Sequence, residues 1–261
     1  MRENRVARTL RSGGVALGTF ALEFLTTGLP RTAASAGADF IVLDQEHSGL
    51  TTDGLRGILA AARSCTLAPL VRVPSVDPHA IGAALDLGAL GIMVPRVDLP
   101  QEARTIASAA RYPPVGRRGF GILHVDEHGG DVPGYMNDAN EEILVIAQIE
   151  SGSAVAALDE IASVEGIDVL WIGQYDLTAS IDIPGQFDHP LFLEAVGAVV
   201  EACEAHGKAA GMATDSLEHA QALLKQGFRC IAFGHDLTLY RTALENGLRQ
   251  LRIEAARDTR P

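Results

Sequence analysis

The sequence predicts an α/β fold: a single closed (β/α)8 barrel of eight parallel strands wrapped by helices. Three observations carry that expectation. Eight short apolar runs alternate with longer amphipathic stretches, glycines stand just past several of those stretches, and 261 residues without a composition break suit one barrel spanning 1–261.

In order, the runs are Val15–Phe20, Phe40–Asp44, Leu67–Val73, Gly91–Val94, Ile143–Ile149, Val169–Ile172, Ala209–Met212 and Cys230–Phe233. Each is short, apolar and often β-branched, as strands covered on both faces should be. Helices are expected at Thr51–Arg63, Pro78–Asp86, Leu99–Arg111, Ser153–Ile161, Pro190–His206, Ser216–Gln226 and Leu237–Arg257. Gly88, Gly207 and Gly227 follow three of them, where a left-handed cap ends a helix. Phrases such as Ser-Ala-Gly-Ala-Asp-Phe and Gln-Gly-Phe-Arg-Cys-Ile recur before strands, as one loop solution reused. No Gly-x-Gly-x-x-Gly follows the first strand, which argues against a dinucleotide-binding sheet. One connection breaks the pattern: Pro113 to Asn140, rich in Gly, Pro, His and Asp, reads as a long loop of the functional kind.

In such a barrel the chemistry sits at the carboxyl ends of the strands. The second strand ends Asp44-Gln45-Glu46-His47 and the third reaches Arg72; the fifth runs into Gln148-Ile149-Glu150, and Gly173-Gln174-Tyr175-Asp176 follows the sixth. Singly, each has a bland reading: Glu150 or Asp176 as a helix cap, Arg72 as a salt-bridged wall, His47 as a satisfied loop histidine. Jointly that reading weakens, because an apolar rim has little reason to gather Glu, Asp, Arg and His. Two carboxylates without thiolates prefer a hard divalent cation such as Mg²⁺ or Mn²⁺. An arginine beside it suits a small carboxylate or an enolate, and a histidine exchanges protons near neutral pH. Imine catalysis needs a lysine at a strand end; the two lysines are Lys208, at the amino end of the seventh strand, and Lys225, in the helix before the eighth.

Composition narrows the partners. Thirty-three acidic residues against 21 basic ones give a formal net charge of -12, which disfavours nucleic acid and anionic membranes. No run approaches a membrane span, the start Met1-Arg-Glu-Asn-Arg lacks an apolar leader core, and Cys65, Cys203 and Cys230 read as reduced thiols. A cytoplasmic protein is expected.

As a set, Leu43-Asp44-Gln45-Glu46-His47, Val71-Arg72-Val73-Pro74, Leu85-Asp86-Leu87-Gly88-Ala89, Arg111-Tyr112-Pro113-Pro114-Val115-Gly116-Arg117-Arg118-Gly119, Gln148-Ile149-Glu150 and Ile172-Gly173-Gln174-Tyr175-Asp176-Leu177 resemble the HpcH/HpaI aldolase family. The resemblance covers nearly the whole chain in order. It implies retro-aldol cleavage of a 4-hydroxy-2-oxo acid to pyruvate and an aldehyde, through an enolate stabilised by Mg²⁺, Mn²⁺ or Co²⁺. It further implies that Glu150 and Asp176 hold the metal and that Arg72 and Gln148 contact pyruvate. His47 becomes the acid–base group with Asp86 orienting it, and backbone at Gly173, Gln174 and Tyr175 holds the pyruvate carboxylate. Trimers or hexamers are implied too, with Leu237–Arg257 packed on a neighbour.

Two departures stand out. Gly173-Gln174-Tyr175-Asp176-Leu177-Thr178 replaces the family's usual Gly-Pro-x-Asp-Leu-Ser, and the stretch His124–Asp131 is unusual. There His124 and His128 have a zinc-like spacing without a third ligand, so a solvated loop is the reading. The alternatives kept open are an oxaloacetate decarboxylase, a citrate lyase-like enzyme acting on acyl-CoA, and a non-catalytic barrel that binds a 2-oxo acid.

Overall fold

A computed structural model describes residues 1–121 and 130–258. His124 and His128 lie outside the described residues.

Eight parallel strands close on themselves in chain order: β1 Ala16–Ala21, β2 Phe40–Asp44, β3 Ala68–Arg72, β4 Gly91–Val94, β5 Leu144–Ile149, β6 Val169–Ile172, β7 Ala209–Thr214 and β8 Phe228–His235. Because side chains alternate along a strand, each strand sends one set inward and one outward. The inward set, including Phe40, Val42, Leu70, Met93, Leu144, Ile146, Val169 and Trp171, forms one apolar cluster. Ile41, Leu43, Val71, Ile92, Val145 and Ile172 face outward, into the larger cluster shared with the helices.

The helices are α1 Arg5–Arg11, α2 Leu29–Ser35, α3 Thr52–Ala62, α4 Pro78–Asp86, α5 Pro100–Ala110, α6 Val132–Glu142, α7 Gly152–Ala156, α8 Leu158–Ala162, α9 Gln174–Ser180, α10 Pro190–Ala205, α11 Leu217–Lys225 and α12 Asp236–Asp258. Gly88, Gly207 and Gly227 take φ of 105°, 66° and 100°, as expected of left-handed caps. Helix α1 plugs the amino end of the barrel: Val6, Ala7 and Leu10 join the interior cluster, and buried Asn4 donates through Nδ2 to the Leu90 carbonyl at 2.7 Å.

The segment expected to be a loop to Asn140 is corrected in its second half. Asp131 accepts from the Gly134 N–H at 3.0 Å and Pro133 stands in the first turn, so Val132–Glu142 starts as a capped helix. The single helix expected over Ser153–Ile161 is two short ones, α7 and α8, meeting at Ala157.

Candidate active site

The polar rim residues continue the inward rows of the strands. On β2 the row Phe40, Val42 reaches Asp44; on β3, Leu70 is followed by Arg72; on β5, Leu144 and Ile146 are followed by Gln148 and then Glu150. Alternation therefore carries an apolar core up into a polar rim without any change of backbone direction. A cleft of about 690 Å³ opens there, lined by His47, Arg72, Gln148, Glu150, Gly173, Gln174, Tyr175 and Asp176 among others. Eight of the nine residues singled out from the sequence thus meet at one cleft.

The ninth, Asp86, does not join them within the chain. It ends α4, accepts from Arg118 Nη2 at 2.7 Å, and lines a separate cavity with His79 and Arg117. Within one chain Asp86 is thus paired with Arg118. Two acids stand where that role is needed. Asp44 is fully buried and accepts from the backbone N–H groups of Glu46 (3.0 Å) and His47 (2.9 Å), folding the turn that presents both. Glu46 approaches His47 Nε2 at 3.7 Å and Arg72 Nη1 at 3.3 Å.

Arg72 is aligned with Asp44 in the β2–β3 register and donates to it through Nε at 2.6 Å. Its guanidinium lies 5.4 Å from the centre of the Phe20 ring. Burial works against its charge, but the Asp44 hydrogen bond and the charges of Asp44, Glu46 and Glu150 outweigh that and raise its pKa. A planar cation fixed in this way presents its remaining N–H groups in one orientation.

Glu150 is buried, at 6% exposure. Its Oε2 accepts the Arg96 backbone N–H at 2.9 Å, and its Oε1 accepts Gln148 Nε2 at 3.0 Å. Arg96 sits at a φ of 53°, a left-handed conformation that costs a non-glycine residue about 1 kcal/mol and turns its amide toward the carboxylate. The carboxylate also presses on Gly173, where a Cβ would meet Glu150 Oε1 at 2.2 Å, so only glycine fits. Burial, reinforced by the charges of Glu46 and Asp176, pushes the Glu150 carboxyl up to about 7. Burial likewise raises the pKa of Glu46.

Asp176 stands in the first turn of α9 with its side chain 49% exposed, 3.8 Å from exposed Arg96 Nη2. Neither metal candidate is used as a simple helix N-cap: Ser151 caps α7, and Gly173 precedes α9. Among the described residues no three His, Cys, Asp or Glu side chains cluster to enclose an ion. Glu150 and Asp176 nonetheless fit a hard divalent cation with open positions. They repel each other, and Gln148 Oε1 beside them is buried without a hydrogen-bond partner.

Sequence reading missed the far wall of the cleft: Phe20, Trp171, Thr214, Asp215, His219 and His235. Strands β7 and β8 were ended at Met212 and Phe233, and both run two residues further, to Thr214 and His235. Thr214 Oγ1 lies 3.0 Å from His219 Nδ1. The polar residues following each apolar run were the available signal.

Comparison with known proteins agrees with this fold. Residues 26–243 match the family model described as HpcH/HpaI aldolase/citrate lyase. A 2-keto-3-deoxy-L-rhamnonate aldolase of Shigella sonnei is 35% identical, over 94% of this chain and 92% of that protein. A 4-hydroxy-2-oxovalerate aldolase of Novosphingobium aromaticivorans is 36% identical, over 97% and 96%. The crystal structure of an HpcH/HpaI aldolase from Desulfitobacterium hafniense superposes with a TM-score of 0.88 at 28% identity, over 94% of this chain and 95% of that one. The chain belongs to the HpcH/HpaI aldolase/citrate lyase family, and its homologues place it among the carbon–carbon lyases of the aldolase kind.

Proposed function

We propose that the protein is a divalent-metal-dependent aldolase that cleaves a 4-hydroxy-2-oxo acid reversibly to pyruvate and an aldehyde. The observation that carries this reading is the convergence of buried Glu150 with Asp176, Arg72 and His47 on one cleft, Arg72 being fixed by Asp44 at 2.6 Å. Glu150 and Asp176 hold the ion, which is Mg²⁺, Mn²⁺ or Co²⁺. Bound there, it supplies Lewis acidity at the 2-oxo oxygen of the substrate.

The chain's own groups do the rest. Arg72 offers its guanidinium to the negative charge that develops as the C3–C4 bond breaks. Gln148 orients the 2-oxo acid, and the backbone N–H groups of Gln174 and Tyr175 receive its carboxylate, the Gly173 N–H being spent on the Ile149 carbonyl at 3.2 Å. His47, steadied by Glu46 and by the Asp44 turn, takes the C4 hydroxyl proton in cleavage and returns it in addition. The exposure of His47, 59% of its side chain, leaves it open to the incoming aldehyde.

The same reading includes a homo-oligomer, a trimer or hexamer. Every residue of α12 from Leu239 to Arg257 is exposed, among them Tyr240, Leu244, Leu248 and Leu251 at three- and four-residue spacing. An apolar stripe left exposed along a helix calls for a neighbour. Light scattering after size exclusion tests that part, and a monomer at micromolar concentration would sink it. No helix among the described residues is long and apolar enough to cross a membrane, in keeping with a cytoplasmic enzyme.

The test of the chemistry is exchange of pyruvate methyl protons in D2O, followed by NMR, with chelator-treated protein and with each metal restored. Exchange that needs the metal and disappears in Glu150→Gln is expected. Undiminished exchange in that variant, or none with any metal, would overturn the assignment.

A further inference from the structure

Opposite the catalytic rim, at the amino ends of β6 and β7, lies a second cavity, of about 860 Å³. The barrel interior between the two openings is filled by side chains such as Phe40, Leu70, Leu144 and Val169, so the cavities do not communicate. Its charged lining is Arg11, Arg104, Arg111 and Lys208 against Glu165 and Asp168. Four cations facing two carboxylates is a local reversal on a chain of formal net charge -12.

Asp168 is already committed. Its Oδ1 accepts from Arg11 Nε at 2.8 Å, and its Oδ2 accepts the Val145 N–H at 2.8 Å and lies 3.6 Å from Arg111 Nη2. Arg111 is the group left over. Its side chain is 5% exposed; Nη2 donates to the Ile143 carbonyl at 2.9 Å, while Nη1 is buried without a hydrogen-bond partner. Burial, together with the neighbouring charges of Arg11 and Arg118, pushes its pKa down to about 10, even with Asp168 beside it. An arginine serving merely as a staple would point both terminal nitrogens at protein acceptors, whereas Nη1 here has none. Lys208, half-buried, spends one of three donors on the Val164 carbonyl at 3.2 Å. Arg104 donates through Nε to Gln101 at 3.2 Å, with its guanidinium at the cavity mouth.

We propose that this cavity is a second ligand site, for a small organic polyanion carrying phosphoryl or several carboxylate groups, held by Arg111, Arg104 and Lys208. Its volume exceeds what a single inorganic ion needs and falls in the range of metabolite sites. A ligand there bridges α1, α5, the α8–β6 turn and the start of β7, so it stabilises the folded chain through the end of the barrel that does no chemistry.

Calorimetric titration of the metal-loaded protein, once with a sugar monophosphate and once with tricarballylate, tests the site. Binding of either is expected, with a rise in Tm. Lys208→Ala and Arg104→Ala are each expected to weaken it about tenfold by removing a charge-assisted contact. Both positions lie outside the interior clusters, so the fold should survive, which circular dichroism checks. Arg72→Ala, at the catalytic rim, should leave the affinity unchanged. Preference for one probe assigns the phosphoryl or the polycarboxylate class. Absence of binding by both probes, equal binding in the two cavity variants, or loss of binding in Arg72→Ala would each overturn the proposal.

Discussion

Glu142 and Asp168 at the amino end of the barrel and Glu150 at the carboxyl end are buried acids held in opposite ways. At the amino end, Glu142 receives the Asn4 N–H and the Arg8 guanidinium, and Asp168 is held by Arg11, Arg111 and the Val145 N–H. At the carboxyl end, Glu150 receives one backbone N–H and one amide side chain, while Glu46 and Asp176 press on it with like charge. Residue type and burial are alike; the sign of the surroundings is what differs. A paired acid ties elements together, and an acid left among its own kind waits for a cation.

Removing the charge at the crowded end should have the largest effect. Glu150→Gln keeps the shape and the Arg96 contact but takes away the carboxylate proposed to face the metal. Metal-dependent proton exchange should fall by about 10³-fold, while the Tm of the metal-free protein should rise, since a costly buried charge has gone. A lowered metal-free Tm would mean that Glu150 is structural, like the acids below.

The mirror experiment is Asp168→Ala. It leaves Arg111 buried without its carboxylate, so stability should drop by about 3 kcal/mol, read from denaturant midpoints. Turnover per folded molecule should be unchanged, because the reacting groups lie at the other end. A loss of turnover at preserved stability would break the division of labour between the two ends.

That division was half legible in the sequence. The strands stood out because both faces of each are covered, so Phe40–Asp44 or Val169–Ile172 reads as an unbroken apolar run. Helices α1, α2 and α9, of seven residues each, are too short to show a periodic face. Helix α6 was hidden by the Gly- and Pro-rich stretch around it, although Asp131 and Pro133 are start signals. The rim acids, Arg72 and His47 could be placed because strand ends define the site. Which acid serves which partner could not. Asp86 lies far along the chain from both His47 and Arg118, and only the closed barrel brings it to Arg118. The left-handed turn at Arg96 left no mark in residue types at all.

A smaller effect sharpens the comparison through pH. Glu150 carries a folded-state pKa raised from 4.5 to about 7. The metal-free folded state therefore holds a proton that the unfolded chain has released, and its stability should fall as pH rises from 4.5 toward 7, contrary to the usual paired carboxylate. In its proposed role as a metal ligand, Glu150 binds in the ionised form. Metal affinity should be full above pH 7 and weaken about tenfold per unit below. Titrating metal at several pH values checks this, with Glu150→Gln flat by comparison. A wild-type metal affinity constant from pH 5 to 8 would count against the raised carboxyl.

The smallest expected effect concerns the start of α9. Gln174 is the first residue of that helix, where a proline is tolerated because its missing N–H has no intrahelical partner. Gln174→Pro restores the family's usual residue and loses the side-chain contact of Gln174 Nε2 with the Ala213 carbonyl at 3.2 Å. Prolines in compatible positions also restrict the unfolded chain, so the two changes should nearly cancel, leaving stability within about 1 kcal/mol. The KM for the 2-oxo acid is the informative readout. If the Tyr175 N–H carries most of the contact with the substrate carboxylate, KM should change by less than about threefold. A rise beyond about tenfold would instead make the Gln174 N–H the principal donor. The carboxylate would then be held differently here than in relatives with proline at this position, and donor preference would follow that one backbone group.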